Sequence, residues 1–265
     1  MDFRSKFAEL SADKGVLCVN LDPALPEQKM PDSIPSKYTK GHGSGEARLN
    51  FCLDMIDLVK DYAVAIKPNQ QFISGISEEQ NHILTEYARK ADLLSIKDYK
   101  LSDIGNTVSS AVFHLSLEGY DAITFNPLFG NLQESVKVAH ASNLGIIVIT
   151  LPSNPEAELF MRKALVNGRP LYEEIANQAK AFDADGCVVG ATGHVTAQDV
   201  RTIVKLAGDD KVLLVPGIGA QGGDASKFAG TNVMISVGRD IIYNENPRAR
   251  AAHYAHVLAS YKKKR

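Results

Sequence analysis

Asp92-Leu93-Leu94-Ser95-Ile96-Lys97 runs directly into Asp98-Tyr99-Lys100-Leu101-Ser102-Asp103-Ile104-Gly105-Asn106-Thr107. The first six residues read as a buried strand. The next six hold three charges, at the point where such a strand should end. Residues two apart on a strand share a face, so Asp98 and Lys100 point the same way if the strand persists that far. Asp103 falls on the turn beyond. Thr107 then precedes a helical apolar run, Val108, Ala111, Val112 and Leu115. Carboxylate, ammonium and carboxylate in one small volume are costly unless the cluster has a function.

The order strand, polar loop, helix repeats along the chain. Eight short apolar runs rich in Val, Ile and Leu read as buried parallel strands: 16–21, 63–66, 93–96, 122–125, 146–151, 186–189, 212–215 and 233–237. Helical patterns follow them at 47–62, 78–90, 108–118, 132–142, 171–182, 197–206, 225–229 and 247–261, and an extra helix at 3–11 precedes the first strand. This alternation predicts an α/β fold, a (β/α)8 TIM barrel occupying residues 1–265 as a single domain. An open doubly wound sheet is the competing architecture. No Gly-x-Gly-x-x-Gly follows the first strand to support it. Residues 23–45, with Pro23, Pro26, Pro31, Pro35, Gly41, Gly43 and Gly45, read as a loop insertion on the rim.

The totals fit a soluble enzyme. The chain has 265 residues, 45% hydrophobic and 23% charged, with net charge −2. Bulk charge gives no reason to expect nucleic acid or membrane as a partner. The basic run Lys262–Arg265 reads as a solvated end. Cys18, Cys52 and Cys187 lie in apolar runs without metal-ligand spacing and read as free thiols in a reducing compartment. No run reaches the length of a membrane span and no secretory leader is visible, so a cytoplasmic protein is expected. The seven histidines are scattered and none sits at a strand end, so no metal site is expected. No Gly-x-Ser-x-Gly elbow points to acyl chemistry.

In a TIM barrel the active site forms where strand C-termini meet the following loops. The strands here end in Asn20-Leu21-Asp22, Lys67-Pro68-Asn69, the Asp98 cluster, Asn126-Pro127, Ser153-Asn154, Gly190-Ala191-Thr192, Pro216–Gly223 and Gly238-Arg239-Asp240. Singly, Asp22 reads as a turn former, Lys67 as a surface lysine, and Ser153 and Thr107 as caps. Together they bring a polar group from each strand to one mouth. Pro216-Gly217-Ile218-Gly219-Ala220-Gln221-Gly222-Gly223 and Gly238-Arg239 follow the last two strands, where barrels commonly hold phosphate. Freed backbone amides and an arginine make an anion site there.

These motifs resemble the orotidine 5′-monophosphate decarboxylase family. Asp-x-Lys-x-x-Asp-Ile-x-x-Thr stands in full at 98–107. Leu-Asp-Pro at 21–23, Ile-Lys-Pro at 66–68, the glycine loop at 216–223 and Val-Gly-Arg at 237–239 fall in the family's order. Two features depart from it. Lys97 is a charge where an apolar residue is usual, expected to snorkel outward between helices, and the 23–45 insertion is longer than in compact members.

The resemblance implies cofactor-free decarboxylation of orotidine 5′-monophosphate to UMP, in a homodimer with shared active sites. By the same resemblance, Asp98 and Lys100 face the reacting carbon. Asp103 reaches the neighbouring subunit's site, with Ile104 and Thr107 beside it. Asp22 and Lys67 bind ribose, and Ser153 contacts the pyrimidine. Gln221, Gly238 and Arg239 hold the phosphate, with Pro216 and Gly217 at the head of the glycine loop. Two alternatives remain open at this point. One is a Mg-dependent sugar-phosphate decarboxylase or aldolase on the same barrel, and the other is a non-catalytic nucleotide-binding barrel.

Overall fold

The computed structural model describes residues 1–219 and 222–261. Gln221 and the basic terminus Lys262–Arg265 therefore lie outside the described residues. Eight parallel strands close on themselves: β1 (Leu17–Leu21), β2 (Ala65–Pro68), β3 (Leu94–Leu101), β4 (Ala122–Phe125), β5 (Gly145–Leu151), β6 (Gly186–Val189), β7 (Val212–Pro216) and β8 (Val233–Val237). Each pairs with its neighbours in sequence, and β8 closes on β1 through Leu17↔Ile235. This is the (β/α)8 barrel expected from the alternation.

The outer ring consists of α2 (Ser44–Val59), α3 (Glu78–Lys90), α4 (Gly105–Glu118), α5 (Leu132–Ala141), α6 (Leu171–Ala181), α7 (Ala197–Ala207) and α8 (Pro247–Leu258). The helix expected at 225–229 is instead a 3-10 turn, Ala225–Phe228. Only a few residues separate the glycine loop from β8, too few for a full helix and its return.

The extra N-terminal helix, α1 (Phe3–Lys14), closes the bottom of the barrel. Phe3 and Phe7 pack with Cys18, Ala65, Leu94, Ile96, Ala122, Ile147, Leu214 and Met234 as an inner core. The outward strand faces join the helices in a second, larger core. An apolar plug at the bottom leaves the top as the place for polar chemistry. Among the described residues, no helix is long and apolar enough to cross a membrane.

Residues 23–45 hold a 3-10 turn, Pro26–Gln28, and a one-turn helix, Ser36–Thr39. Ile34 and Tyr38 are buried, so the segment packs onto the barrel. The interval after β5 carries a π-helical turn, Glu158–Lys163, and a small hairpin pairing Leu165–Val166 with Arg169–Pro170.

Candidate active site

The period of two along each strand builds the mouth. Cys18, Ala65, Ile96, Ala122 and Met234 belong to the inner core. Two residues further on, and so on the same face, stand Asn20, Lys67, Asp98, Thr124 and Ser236. The barrel interior thus changes from apolar to polar in one register step. Asn20 stands beside Lys67 across β1 and β2, and Asn69 bridges to Asp98. Lys97 has the opposite parity and faces the helices.

Asp98 is the hub of this layer. One carboxylate oxygen accepts from the Lys67 ammonium. The other accepts from Lys100 Nζ at 2.6 Å and from Thr124 Oγ1 at 3.0 Å. Burial alone would raise the pKa of Asp98, but Lys67 and Lys100 outweigh it and hold the carboxyl well below its ordinary range. Lys67 is itself buried. Desolvation works against its charge, yet Asp98 and Asp22 raise its pKa, so it stays an ammonium. Lys67 is therefore not the surface lysine of its simplest sequence reading.

Lys100 reaches Asp98 past a break in the strand. The β3–β4 register shifts between Lys97 and Leu101, and Lys100 has φ +50°. A left-handed backbone at a lysine costs on the order of 1–2 kcal/mol. Its N–H is held by Thr124 Oγ1 at 2.9 Å. Thr124 thus fixes both the carboxylate and the backbone of the lysine. The Lys100 side chain, 55% exposed, leads from the cluster into open space.

Asp22 lies at the far side of the same charge cluster. It is half-buried, its Oδ1 is shielded from solvent without a hydrogen-bond partner among the described residues, and desolvation raises its pKa against the pull of Lys67. Asp22 lines a cavity of about 320 Å³ together with Asn20, Ser236, Pro216, Gly217, Gly238 and Arg239; Met30, Phe72, Ile218 and Asp240 also line it. A Cβ at Gly238 would stand 3.0 Å from Asn20 Cβ, so a larger residue there requires Asn20 to give way. Arg239 opens a one-turn helix, Arg239–Ile242. The adjacent carboxylate, Asp240, is taken by Arg250 at 2.6 Å and by Tyr254. Among the described residues Arg239 has no ion-pair partner, which leaves its guanidinium available to an anion in the cavity.

The model of the Orotidine 5′-phosphate decarboxylase / HUMPS family matches residues 16–254. The chain belongs to this family. A curated relative from Cupriavidus metallidurans, named orotidine 5′-phosphate decarboxylase, is 35% identical over 247 residues, covering 86% of this chain and 84% of the relative. One of the same name from Leptospira interrogans is 31% identical over 262 residues, covering 93% and 89%. A solved Toxoplasma gondii chain described as an orotidine-monophosphate decarboxylase superposes with TM-score 0.82 at 22% identity, covering 98% and 97%. At that identity it bears on the fold alone.

Against the family motif, the residues singled out in the sequence fall into three groups. Asp22, Lys67, Asp98 and Lys100 form one charge cluster, and Pro216, Gly217, Gly238 and Arg239 line the cavity beside it. Asp103, Ile104 and Thr107 are not in that cluster. Ile104 and Thr107 are exposed on the rim, where α4 starts. The Asp103 carboxylate accepts from the Ile104 N–H, and its carbonyl accepts from Asn131. Among the described residues Asp103 enters no ion pair, so within one chain Lys100 is paired with Asp98 alone rather than held between two aspartates. Ser153 stands apart, pressed on the loop after β6: a Cβ at Gly190 would meet it at 2.5 Å.

Asn20, Thr124 and Ser236 were not singled out from the sequence. Their signal is parity, each two residues beyond an apolar inward position on its strand. Lys97 differs from the expectation of snorkelling. It faces outward but is buried, paired with Glu118 at the end of α4 and flanked by the rings of Tyr99 and Tyr120. The packed α3–α4 interface leaves it no route to water.

Proposed function

We propose that this chain decarboxylates orotidine 5′-monophosphate to UMP without a cofactor, as a step of pyrimidine synthesis. The observation that carries the reading is the Asp98 carboxylate bonded by two ammoniums, Lys67 and Lys100, next to a cavity lined by Arg239, which has no ion-pair partner among the described residues. Loss of CO₂ from C6 of the pyrimidine leaves a carbanion with no conventional electron sink. Preorganised charge has to stabilise it. Lys100 supplies the cation and then the proton for C6. Asp98, held ionised, orients Lys100 and faces the departing carboxylate. Asp22 and Lys67 take the ribose hydroxyls, and Ser153 contacts the base. Arg239, with Gly238, Pro216, Gly217 and Gln221, grips the phosphate, and binding energy gained there supports the chemical step.

The Mg-dependent alternative asks for free carboxylate lone pairs and a further acid at the end of β2. Lys67 stands at that position, and both Asp98 oxygens are already engaged. The test is loss of orotidylate absorbance with and without EDTA. Full turnover in EDTA is expected. Turnover that collapses in EDTA and returns with Mg²⁺ supports the rival enzyme. Tight binding of 6-aza-UMP without any turnover supports a non-catalytic nucleotide-binding barrel.

We also infer a homodimer with shared sites. Ile104, Phe113 and Leu117 of the α4 segment are exposed, as are Leu128 and Phe129 after β4. The Asn131–Asp103 bond ties these two segments together. An apolar face beside a carboxylate with no ion pair among the described residues suits a second copy that brings Asp103 to a neighbouring Lys100. Mixing inactive Lys100→Ala and Asp103→Ala subunits should then restore about a quarter of wild-type turnover, because half the dimers are hybrids and each holds one intact site. Complete inactivity after proven subunit exchange would contradict shared sites. We read residues 1–265 as one domain, with 23–45 forming part of the cavity rim through Met30. The three buried free cysteines support a cytoplasmic setting.

A further inference from the structure

The one-turn helix that starts at Arg239 is capped at its C-terminus by Tyr243, a residue with no part in the chemistry above. Its backbone N–H donates to the Arg239 carbonyl at 3.1 Å. Its hydroxyl donates to the Asp22 carbonyl at 2.7 Å and accepts from the Ala24 N–H at 2.9 Å. One phenol therefore holds the turn on both sides of Pro23. The ring stacks on Phe51 of α2, with centroids 5.9 Å apart and planes at 24°. Burial pushes the phenol up to about 12, so it keeps its proton at neutral pH.

The partners of this hydroxyl matter to the cavity. Among the described residues the Asp22 Oδ1 has no hydrogen-bond partner, so the backbone of its turn bears directly on where this carboxylate sits. The Ala24 carbonyl accepts from the Ile34 N–H at 2.8 Å, which roots the 23–45 segment on the same residue. Met30 of that segment lines the cavity with Asp22 and Arg239.

We propose that Tyr243 is a positioning residue whose hydroxyl couples the turn carrying Asp22, and the root of the 23–45 segment, to the helix carrying Arg239. An anion held by Arg239 then fixes where the Asp22 carboxylate sits. This rests on the reading that the cavity takes the phosphate of orotidine 5′-monophosphate.

The test is a double-mutant cycle on the full chain, reading kcat/KM for orotidine 5′-monophosphate. Arg239→Ala alone should raise KM strongly. Tyr243→Phe keeps the ring on Phe51 and removes both hydroxyl bonds, and a loss of about tenfold is expected. In the Arg239→Ala background the same change should cost less than about twofold. Equal losses in both backgrounds would make Tyr243 a local structural contact and overturn the coupling, as would an unchanged kcat/KM in the single variant. Phe51→Leu, which removes the stack and keeps the hydroxyl bonds, should stay within about twofold of wild type. A loss matching Tyr243→Phe would assign the effect to packing instead. Failure of the wild type to decarboxylate would sink the functional reading and the coupling with it, whereas an active wild type with additive losses sinks the coupling alone.

Discussion

Lys100→Ala is expected to lower decarboxylation of orotidine 5′-monophosphate by at least about 10³-fold, because one change removes both the cation facing the carbanion and the proton donor. The fold should survive. Lys100 is more than half exposed, and among the described residues its side chain makes one bond, to Asp98. Once that is gone, Asp98 still has Lys67 and the Thr124 hydroxyl, so no buried carboxylate is stranded. The Lys100 N–H to Thr124 is a backbone bond and is kept. The measurements are single-turnover loss of orotidylate absorbance and a thermal melt on the same preparation. Near-normal turnover in the variant would rule out Lys100 as the proton donor. A large drop in melting temperature would instead mean that Lys100 supports the fold.

The same geometry explains why Lys67 is unsuited to the role proposed for Lys100. Lys67 is buried and bonded to Asp98, with Asp22 adding to its stabilisation as a cation. Giving up a proton would leave Asp98 with one ammonium less in a buried site. Lys100 reaches toward solvent, where its proton can exchange freely, as the proposed role requires. The left-handed backbone at Lys100 is what turns its side chain to the mouth.

Much of this was legible in the sequence, for reasons that can be named. The alternation of strands and helices gave the barrel because buried parallel strands are nearly continuous in Val, Ile and Leu. The inward parity of Asp98 follows from Ile96 two residues before it. Arg239 was legible because it directly follows an apolar strand near a glycine-rich loop. Less legible were features set by contacts between distant segments. Thr124 earns attention only once β4 is placed beside β3, and Ser236 only once β8 closes on β1. The conformation of Lys100 depends on a register shift that no local pattern announces. Whether Asp103 serves its own site or another's depends on a surface, Phe113 with Leu128 and Phe129, whose segments meet only in the fold.

Lys97 is the clearest case of a charge whose meaning lies in its partner, and it gives the second large effect. Glu118→Ala should lower stability by about 3–5 kcal/mol, since it leaves a buried ammonium with no counter-charge. For a chain of this size that corresponds to a melting temperature lower by roughly 10 °C. Lys97→Met with Glu118→Leu should recover most of this loss, because well-packed apolar groups commonly replace a buried ion pair at little cost. The pH dependence separates this account from a simple loss of packing. Burial lowers the Lys97 pKa even with Glu118 beside it. Without Glu118 the folded state depresses the pKa of that ammonium further, while the unfolded chain keeps a lysine of pKa about 10.4. Between those two values the unfolded state binds more protons, so stability rises with pH. The deficit of Glu118→Ala, measured by urea unfolding, should therefore shrink between pH 7 and pH 9.5. A deficit independent of pH, or one that the double substitution fails to relieve, would show that Glu118 acts through packing at the end of α4 and that Lys97 is not the group left stranded.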